Sequence, residues 1–235
     1  MNDSAPVMSF GNVDWTPPGS DRPLFTGLTF DIRPGELVVL TSCLGGGKSS
    51  ALSMAVGLDQ PSHGSVTVCG QPPARVRTRV GYAADQGALL ANLTLRENLI
   101  LPLRWQQDLS PADVERRAQK ALHLFGVTDI PVTTPAYAPT NIRRLVTLAR
   151  AMILEPAVLV LDDPTDDFDS ESASEIWRHL ADIAVDRQVA ILATATVPPV
   201  LPTARFIHID ATSSPGTRKF SAAQRSVSGV PFRKQ

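Results

Sequence analysis

The stretch Leu37-Val-Val-Leu-Thr-Ser-Cys-Leu-Gly-Gly-Gly-Lys-Ser-Ser50 constrains this chain more than any other. Its apolar start, Leu37 to Leu40, reads as a short buried strand. Gly45-Gly46-Gly47 then turn the chain, and after Lys48 and Ser49 the residues Ser50 to Val56 read as a helix. Successive backbone N–H groups can curl around a phosphate only where side chains do not block its approach. A helix opening just behind adds unpaired N–H groups and a positive dipole end. Strand, glycine turn, Lys-Ser and helix together specify a phosphate-binding P-loop. Ser42, Cys43, Leu44, Gly45, Gly46, Gly47, Lys48, Ser49 and Ser50 are the candidate nucleotide-binding residues. Lys48 is expected to reach the β- and γ-phosphates, and Ser49 to ligate the magnesium. One departure stands out: the pattern GxxxxGK followed by Ser or Thr wants glycine where this chain has Ser42.

With 235 residues, 43% of them hydrophobic, and a net charge of −1, the chain can bury a sizeable core. There is no basic excess, so nucleic acid is not expected as the main partner. No apolar run approaches the roughly 18 residues of a membrane span. Met1-Asn2-Asp3-Ser4 lacks the basic start and apolar stretch of a secretory leader, so a soluble, cytosolic protein is expected. Cys43 and Cys69 form no metal or redox spacing and read as buried or inert thiols.

Val7 to Val13 and Leu28 to Ile32 alternate as antiparallel strands around the turn Pro17-Pro18-Gly19-Ser20. Trp15 beside this turn either stacks on an adenine ring or fills the strand face. Ser65 to Cys69 and Val80 to Ala84 are further short strands, the second followed by Asp85-Gln86. From Asn92 the pattern turns helical. Thr94 and Glu97 have capping-box spacing, and Ser110-Pro111 opens a second helix with Gly126 as its stop. A third helix, Asn141 to Leu154, presents Ile142, Leu145, Val146, Leu148, Ala149 and Met152 to the core. Ala157 to Asp162 and Val189 to Ala193 are continuous apolar runs of the kind that form buried parallel strands. A helix over Ser174 to Val185 and a last strand from Arg205 to Asp210 complete the pattern, and the polar tail from Ala211 is expected to be extended.

Val158-Leu-Val-Leu-Asp-Asp-Pro-Thr165 is an apolar strand ending in two acids. Following a P-loop and a helical insert, it makes the chain resemble an ATP-binding cassette (ABC) ATPase over nearly its whole length. The resemblance implies an α/β fold with a RecA-like mixed-sheet core and an antiparallel β subdomain (residues 1–91 and 156–210), a helical subdomain (92–155) and a C-terminal tail (211–235). It also implies roles. Asp162 would hold magnesium, Asp163 would be the general base where the family usually has glutamate, and Gln86 would sense magnesium and the γ-phosphate. Asp169 would be an aspartate crossing a dimer interface. The implied partners are ATP, an integral-membrane permease, and a second ABC ATPase in a homodimer or heterodimer. The implied location is peripheral, on the inner face of the cytoplasmic membrane. A narrower resemblance, to the ATPase of the Mla phospholipid transporter, rests on five stretches: Gln86-Gly-Ala-Leu-Leu90, Leu95-Arg-Glu-Asn-Leu99, Leu101-Pro-Leu-Arg104, Leu148-Ala-Arg-Ala151 followed by Leu154-Glu-Pro156, and the end Gly229-Val-Pro-Phe-Arg233. In that family the tail reaches across to the neighbouring ATPase.

Three family features are altered. The signature LSGGQ falls on Ala138-Pro139-Thr140-Asn141-Ile142, with no position matching. Pro139 has no N–H to offer a phosphate, and Thr140 either offers its hydroxyl or caps the helix. A hydrogen bond to a charged group contributes roughly 1.5–3 kcal/mol, so losing two weakens a closed ATP sandwich. Asp163 is one methylene shorter than glutamate, in a role where a positioned base contributes about 10²–10⁴-fold, unless the backbone shifts to compensate. Ala195 occupies the place of a switch histidine, with Thr194 and Thr196 beside it, and His63, His123, His179 and His208 lie elsewhere. Binding and turnover therefore separate. The readings are a transport motor of the Mla type with slow or conditional hydrolysis, an impaired ATP-binding regulatory subunit paired with an active ATPase, and a soluble ABC protein without a membrane partner.

Overall fold

The structure is a computed structural model that describes residues 5–43, 45–105 and 109–210, and of Gln86 and Gly87 only the backbone. Leu44 and the expected tail with its Gly229-to-Arg233 motif lie outside the described residues.

Two sheets share the molecule. Strands β1 (Met8–Trp15), β2 (Phe25–Ile32) and β4 (His63–Val68) pair antiparallel in the order β2-β1-β4. Five others, β3 (Leu37–Ser42), β5 (Val80–Ala83), β6 (Val158–Leu161), β7 (Ala190–Thr194) and β8 (Arg205–Ile209), form a second sheet in the order β5-β6-β7-β3-β8. All four of its pairings are parallel. The expected combination of a core sheet, an antiparallel unit and a helical layer is thus present, with the antiparallel pairings confined to the smaller sheet. Strand β2 starts earlier than its alternating pattern suggests, because Phe25 is already buried against β1.

The parallel sheet is covered on both faces, which is why β3, β6 and β7 read as unbroken apolar runs. Alternate residues serve different cores. Val38, Leu40, Val158, Val160 and Leu192 pack with the antiparallel sheet and helix α1 (Lys48–Ala55). Leu37, Val39, Leu159, Leu161 and Ile191 pack on the other face. That face is covered by helices α2 (Leu95–Ile100), α3 (Pro111–His123), α4 (Thr140–Met152) and α5 (Ser170–Arg187). Each fully buried Leu, Ile or Val contributes about 1.5–3 kcal/mol relative to an exposed one. In the smaller sheet Phe10 lies opposite Phe30, their rings stacked 4.5 Å apart.

Helix starts follow the expected chemistry in two cases. The Thr94–Glu97 capping box is closed in both directions, Glu97 N donating to Thr94 Oγ1 at 3.2 Å and Thr94 N to Glu97 Oε2 at 2.8 Å. Ser110 caps α3 by accepting from Asp113 N at 3.1 Å. Helix α5 begins at Ser170, earlier than its apolar pattern suggests, because Asp169 accepts from the backbone N–H groups of Glu171 and Ser172. The expectation that Thr140 caps α4 is not met. Pro139 stands at the cap, Thr140 is already inside the helix, and its hydroxyl accepts from Arg143 Nη2 at 2.9 Å.

Candidate nucleotide-binding site

Because β3, β6 and β7 run parallel, their C-terminal ends reach one edge of the sheet together. Residues distant in sequence meet there: the loop after β3, the acids after β6, and Thr194 at the end of β7 with Ala195 and Thr196 behind it. They enclose a cavity of about 480 Å³ lined by Leu24, Ser42, Cys43, Gly45 to Ser50, Asp163 and Thr196.

The glycine loop is built for close approach. A Cβ on Gly46 would stand 2.6 Å from Ser42 Cβ, and one on Gly47 would stand 2.7 Å from the Phe25 ring. Gly47 also has φ 89°, a conformation that side chains resist, at the position that opens α1. Among the described residues no side chain caps that helix start, which leaves its first N–H groups for an anion to meet. Lys48 Nζ donates to the carbonyl of Ala195 at 3.2 Å, which draws the ammonium across the loop toward the end of β7.

The two acids have different surroundings. Asp162 is 7% exposed. Its Oδ1 accepts from the hydroxyl of fully buried Thr194 at 2.7 Å. Burial pushes its pKa up, the Thr194 bond opposes the shift, and the nearby charge of Asp163 adds to it. Asp163 sits at φ 42°, unusual for a residue with a side chain. Its N–H donates to Thr194 Oγ1 at 2.8 Å, while its Oδ1 is buried without a hydrogen-bond partner among the described residues. Leaving a buried acceptor unpaired costs about 1–3 kcal/mol, and strain of this kind concentrates where a ligand completes the site. A glycine cradle, a buried carboxylate beside a hydroxyl, and an unpaired acceptor on the cavity wall all fit a nucleotide phosphate with magnesium. Magnesium is commonly held by one or two protein groups plus phosphates and water, and no larger cluster of potential metal ligands occurs among the described residues.

The structure brings together Ser42, Cys43, Gly45, Gly46, Gly47, Lys48, Ser49, Ser50, Asp162 and Asp163. Leu44 lies outside the described residues, and so does the side chain of Gln86, whose backbone lies in the short turn Asp85–Ala88. Trp15 is half-buried and packs against the core of the smaller sheet, and it is absent from the cavity wall. Leu24, held by its N–H to the Trp15 carbonyl at 2.7 Å, lines the wall instead. Both cysteines are exposed, so of the two readings, buried or inert, the buried one is not met, because each sits on a turn at the end of its strand. Of the threonines beside Ala195, Thr194 is committed to the two acids and Thr196 faces the cavity.

Residue reasoning missed Thr194 as the bridge between the acids, and it missed Arg144. Arg144 is 3% exposed and pairs with Asp167 at 2.7 Å. Its signal was present: it lies one turn before Leu148 on the buried face of α4, where a charge requires partners.

A parallel sheet with a glycine loop between strand and helix, and acids ending a nearby strand, defines the class of P-loop nucleotide-binding folds. A sequence profile described as ABC transporter matches residues 25–166. The chain belongs to the ABC transporter family and carries that family's ATP-binding domain. It is 32% identical over 178 residues to a Nod factor export ATP-binding protein I of Burkholderia thailandensis, covering 74% of this chain and 58% of that protein. It is 30% identical over 179 residues to the lipoprotein-releasing system ATP-binding protein LolD of Hydrogenovibrio crunogenus, covering 72% of this chain and 77% of that one. The fold is also that of the ATP-binding cassette MJ0796, solved as a dimer in a post-hydrolysis state bound to ADP and Pi. That match has a TM-score of 0.78 at 22% identity and covers 91% of this chain and all of the other.

Proposed function

We propose that this chain binds ATP with magnesium and serves as the ATP-binding subunit of an ABC transporter, coupling binding and slow or conditional hydrolysis to a membrane permease. The observation that carries this reading is the cavity in which the open start of α1, the glycine loop with Lys48 and Ser49, and Asp163 converge. In it the loop N–H groups hold the phosphates, and Lys48 leaves the Ala195 carbonyl to pair with their terminal oxygens. Ser49 and Asp162 hold magnesium, which when bound offsets phosphate charge and orients the chain of phosphates. Asp163 accepts a proton from, or orients, the attacking water through its unpaired Oδ1. Gln86 is assigned to the same site, and Leu24, in place of Trp15, to the wall of the cavity.

Ala138 is buried in the core, Pro139 offers no N–H, and the Thr140 and Asn141 side chains make local hydrogen bonds. These observations favour a second reading, an ATP-binding regulatory subunit that works beside an active ATPase. The solved dimer of MJ0796 supports pairing of two such domains. A groove of about 420 Å³ lined by Leu89, Ala91, Pro135 and Ala136 supports contact with a permease. Exposed Leu90 and Tyr137 adjoin those residues in sequence. No helix among the described residues is long and apolar enough to cross a membrane, so peripheral attachment through such a partner is the location proposed. A single ABC domain is proposed, with the helical subdomain at 92–155 and residues 211–235 as a tail reaching a neighbour.

The finer proposal for cargo is lipid, on the Mla-like stretches between Gln86 and Arg104 and in the tail. The relatives named above are a Nod factor export protein and a lipoprotein-releasing protein. Titration calorimetry tests the nucleotide claim: purified chain binds ATP–Mg2+, and Lys48→Ala weakens binding tenfold or more, at about 1.4 kcal/mol per decade. Equal affinity in the variant would sink it. Co-purification from native membranes with mass spectrometry tests the partners.

A further inference from the structure

We propose that Arg144 is a positioning residue that ties the loop following the two acids, and the residues beside Gln86, to the helical layer, so that nucleotide occupancy is felt in the groove on that layer. The inference rests on the nucleotide reading above.

One guanidinium joins three segments. Arg144 Nε donates to Asp167 Oδ2 at 2.8 Å, and its Nη2 lies 2.7 Å from the same oxygen. Nη2 also lies 3.5 Å from Asp85 Oδ1, and Nη1 donates to the Ala84 carbonyl at 3.5 Å. Asp167 belongs to the loop that starts at the acids Asp162 and Asp163, and Ala84 and Asp85 lead directly into Gln86. Further along α4, Arg150 donates to the Ala88 carbonyl at 3.1 Å. The turn carrying Gln86 is therefore held at both ends by one helix. That helix begins at the altered signature stretch.

The same groups form the floor of the groove. Arg144 and Asp167 line it together with Leu89, Ala91, Pro135 and Thr140. A ligand that moves the loop after β6 shifts Asp167, and Arg144, itself buried and joined to Asp167 through both Nε and Nη2, is drawn with it. A planar guanidinium can serve three acceptors in fixed directions, whereas a lysine ammonium cannot hold the same fork.

Hydrogen–deuterium exchange on the full chain, with and without ATP and magnesium, tests this. In the wild type, nucleotide slows exchange at 42–50 and also at 84–91 and 139–146. Arg144→Gln is expected to keep the P-loop response, with a Kd within about threefold of wild type. Its response at 84–91 and 139–146 is expected to fall below about half, and Arg144→Lys to be intermediate. A remote response that survives in Arg144→Gln, or is absent in wild type while the P-loop responds, overturns the proposal alone. A wild type without any P-loop response overturns the nucleotide reading and this inference together. Should Arg144→Gln fail to fold, Asp85→Asn weakens the contact between Arg144 and the turn, at a side chain 52% exposed. Loss of the 84–91 response with 139–146 retained then supports the clamp, and retention of both overturns it.

Discussion

Thr194 shows how much one hydroxyl can organise. It is fully buried, donates to Asp162 and accepts from the Asp163 N–H, so it sets the relative placement of both acids. Thr194→Val keeps the volume and removes both bonds. The expected cost is about 1–3 kcal/mol of stability, with weaker magnesium-dependent ATP binding, read by denaturant melts and calorimetry. Asp163 is the complementary case. Its left-handed backbone and unpaired Oδ1 mark a group waiting for a partner, but its side chain is short for the role. Asp163→Glu is expected to raise steady-state ATP hydrolysis by about tenfold, within the range that positioned acid–base groups contribute. An unchanged rate would mean that the backbone already compensates for the missing methylene.

At the scale of elements, helix starts decide the acid behaviour. The Thr94 N–H and hydroxyl hold the Glu97 carboxyl below its ordinary value of 4.5, with Arg104 adding to the effect. A depressed folded pKa means that the unfolded chain binds the proton first as pH falls. The stabilisation is therefore complete above 4.5 and is lost as pH drops through the folded value. Glu97→Gln removes this contribution, so its melting temperature is expected to fall less steeply than wild type below pH 4.5, by calorimetry. Asp169, lowered by its bonds to Ser172 and Glu171, acts in the same direction at the start of α5. That second case also bears on the implied interface role of Asp169. Its carboxylate is engaged in capping, so a contact across a dimer would have to share it.

For the whole molecule, the question is which parts cooperate. The isolated chain is expected to bind ATP well and hydrolyse it slowly, with turnover rising when a permease or second ATPase is present in reconstituted membranes. Robust hydrolysis by the isolated chain would show that the altered signature and Ala195 are not limiting. Much of this architecture was legible beforehand because it is local. The P-loop lies within fourteen consecutive residues, β6 and its acids within eight, and the Thr94–Glu97 capping box within four. Periodicity located the strands because both faces of the parallel sheet are buried. The starts of β2 and α5 were less visible, since Phe25 and Asp169 act through partners rather than through a repeating pattern.

The chain's own sequence determined that a glycine loop would follow a buried strand, that acids would end another, and that the signature and switch positions lack their usual groups. These are properties of spacing and residue type, and neighbours along the chain suffice to state them. Tertiary structure alone decided that Thr194 would bridge Asp162 and Asp163 from a strand 31 residues away, and that Leu24 rather than Trp15 would wall the cavity. It also decided that Arg144 would reach Asp167 and Ala84 across 23 and 60 residues. Hydrogen bonds and ion pairs act over a few ångströms of space, and only the closing of parallel strands and helices onto one edge brings those atoms within that range.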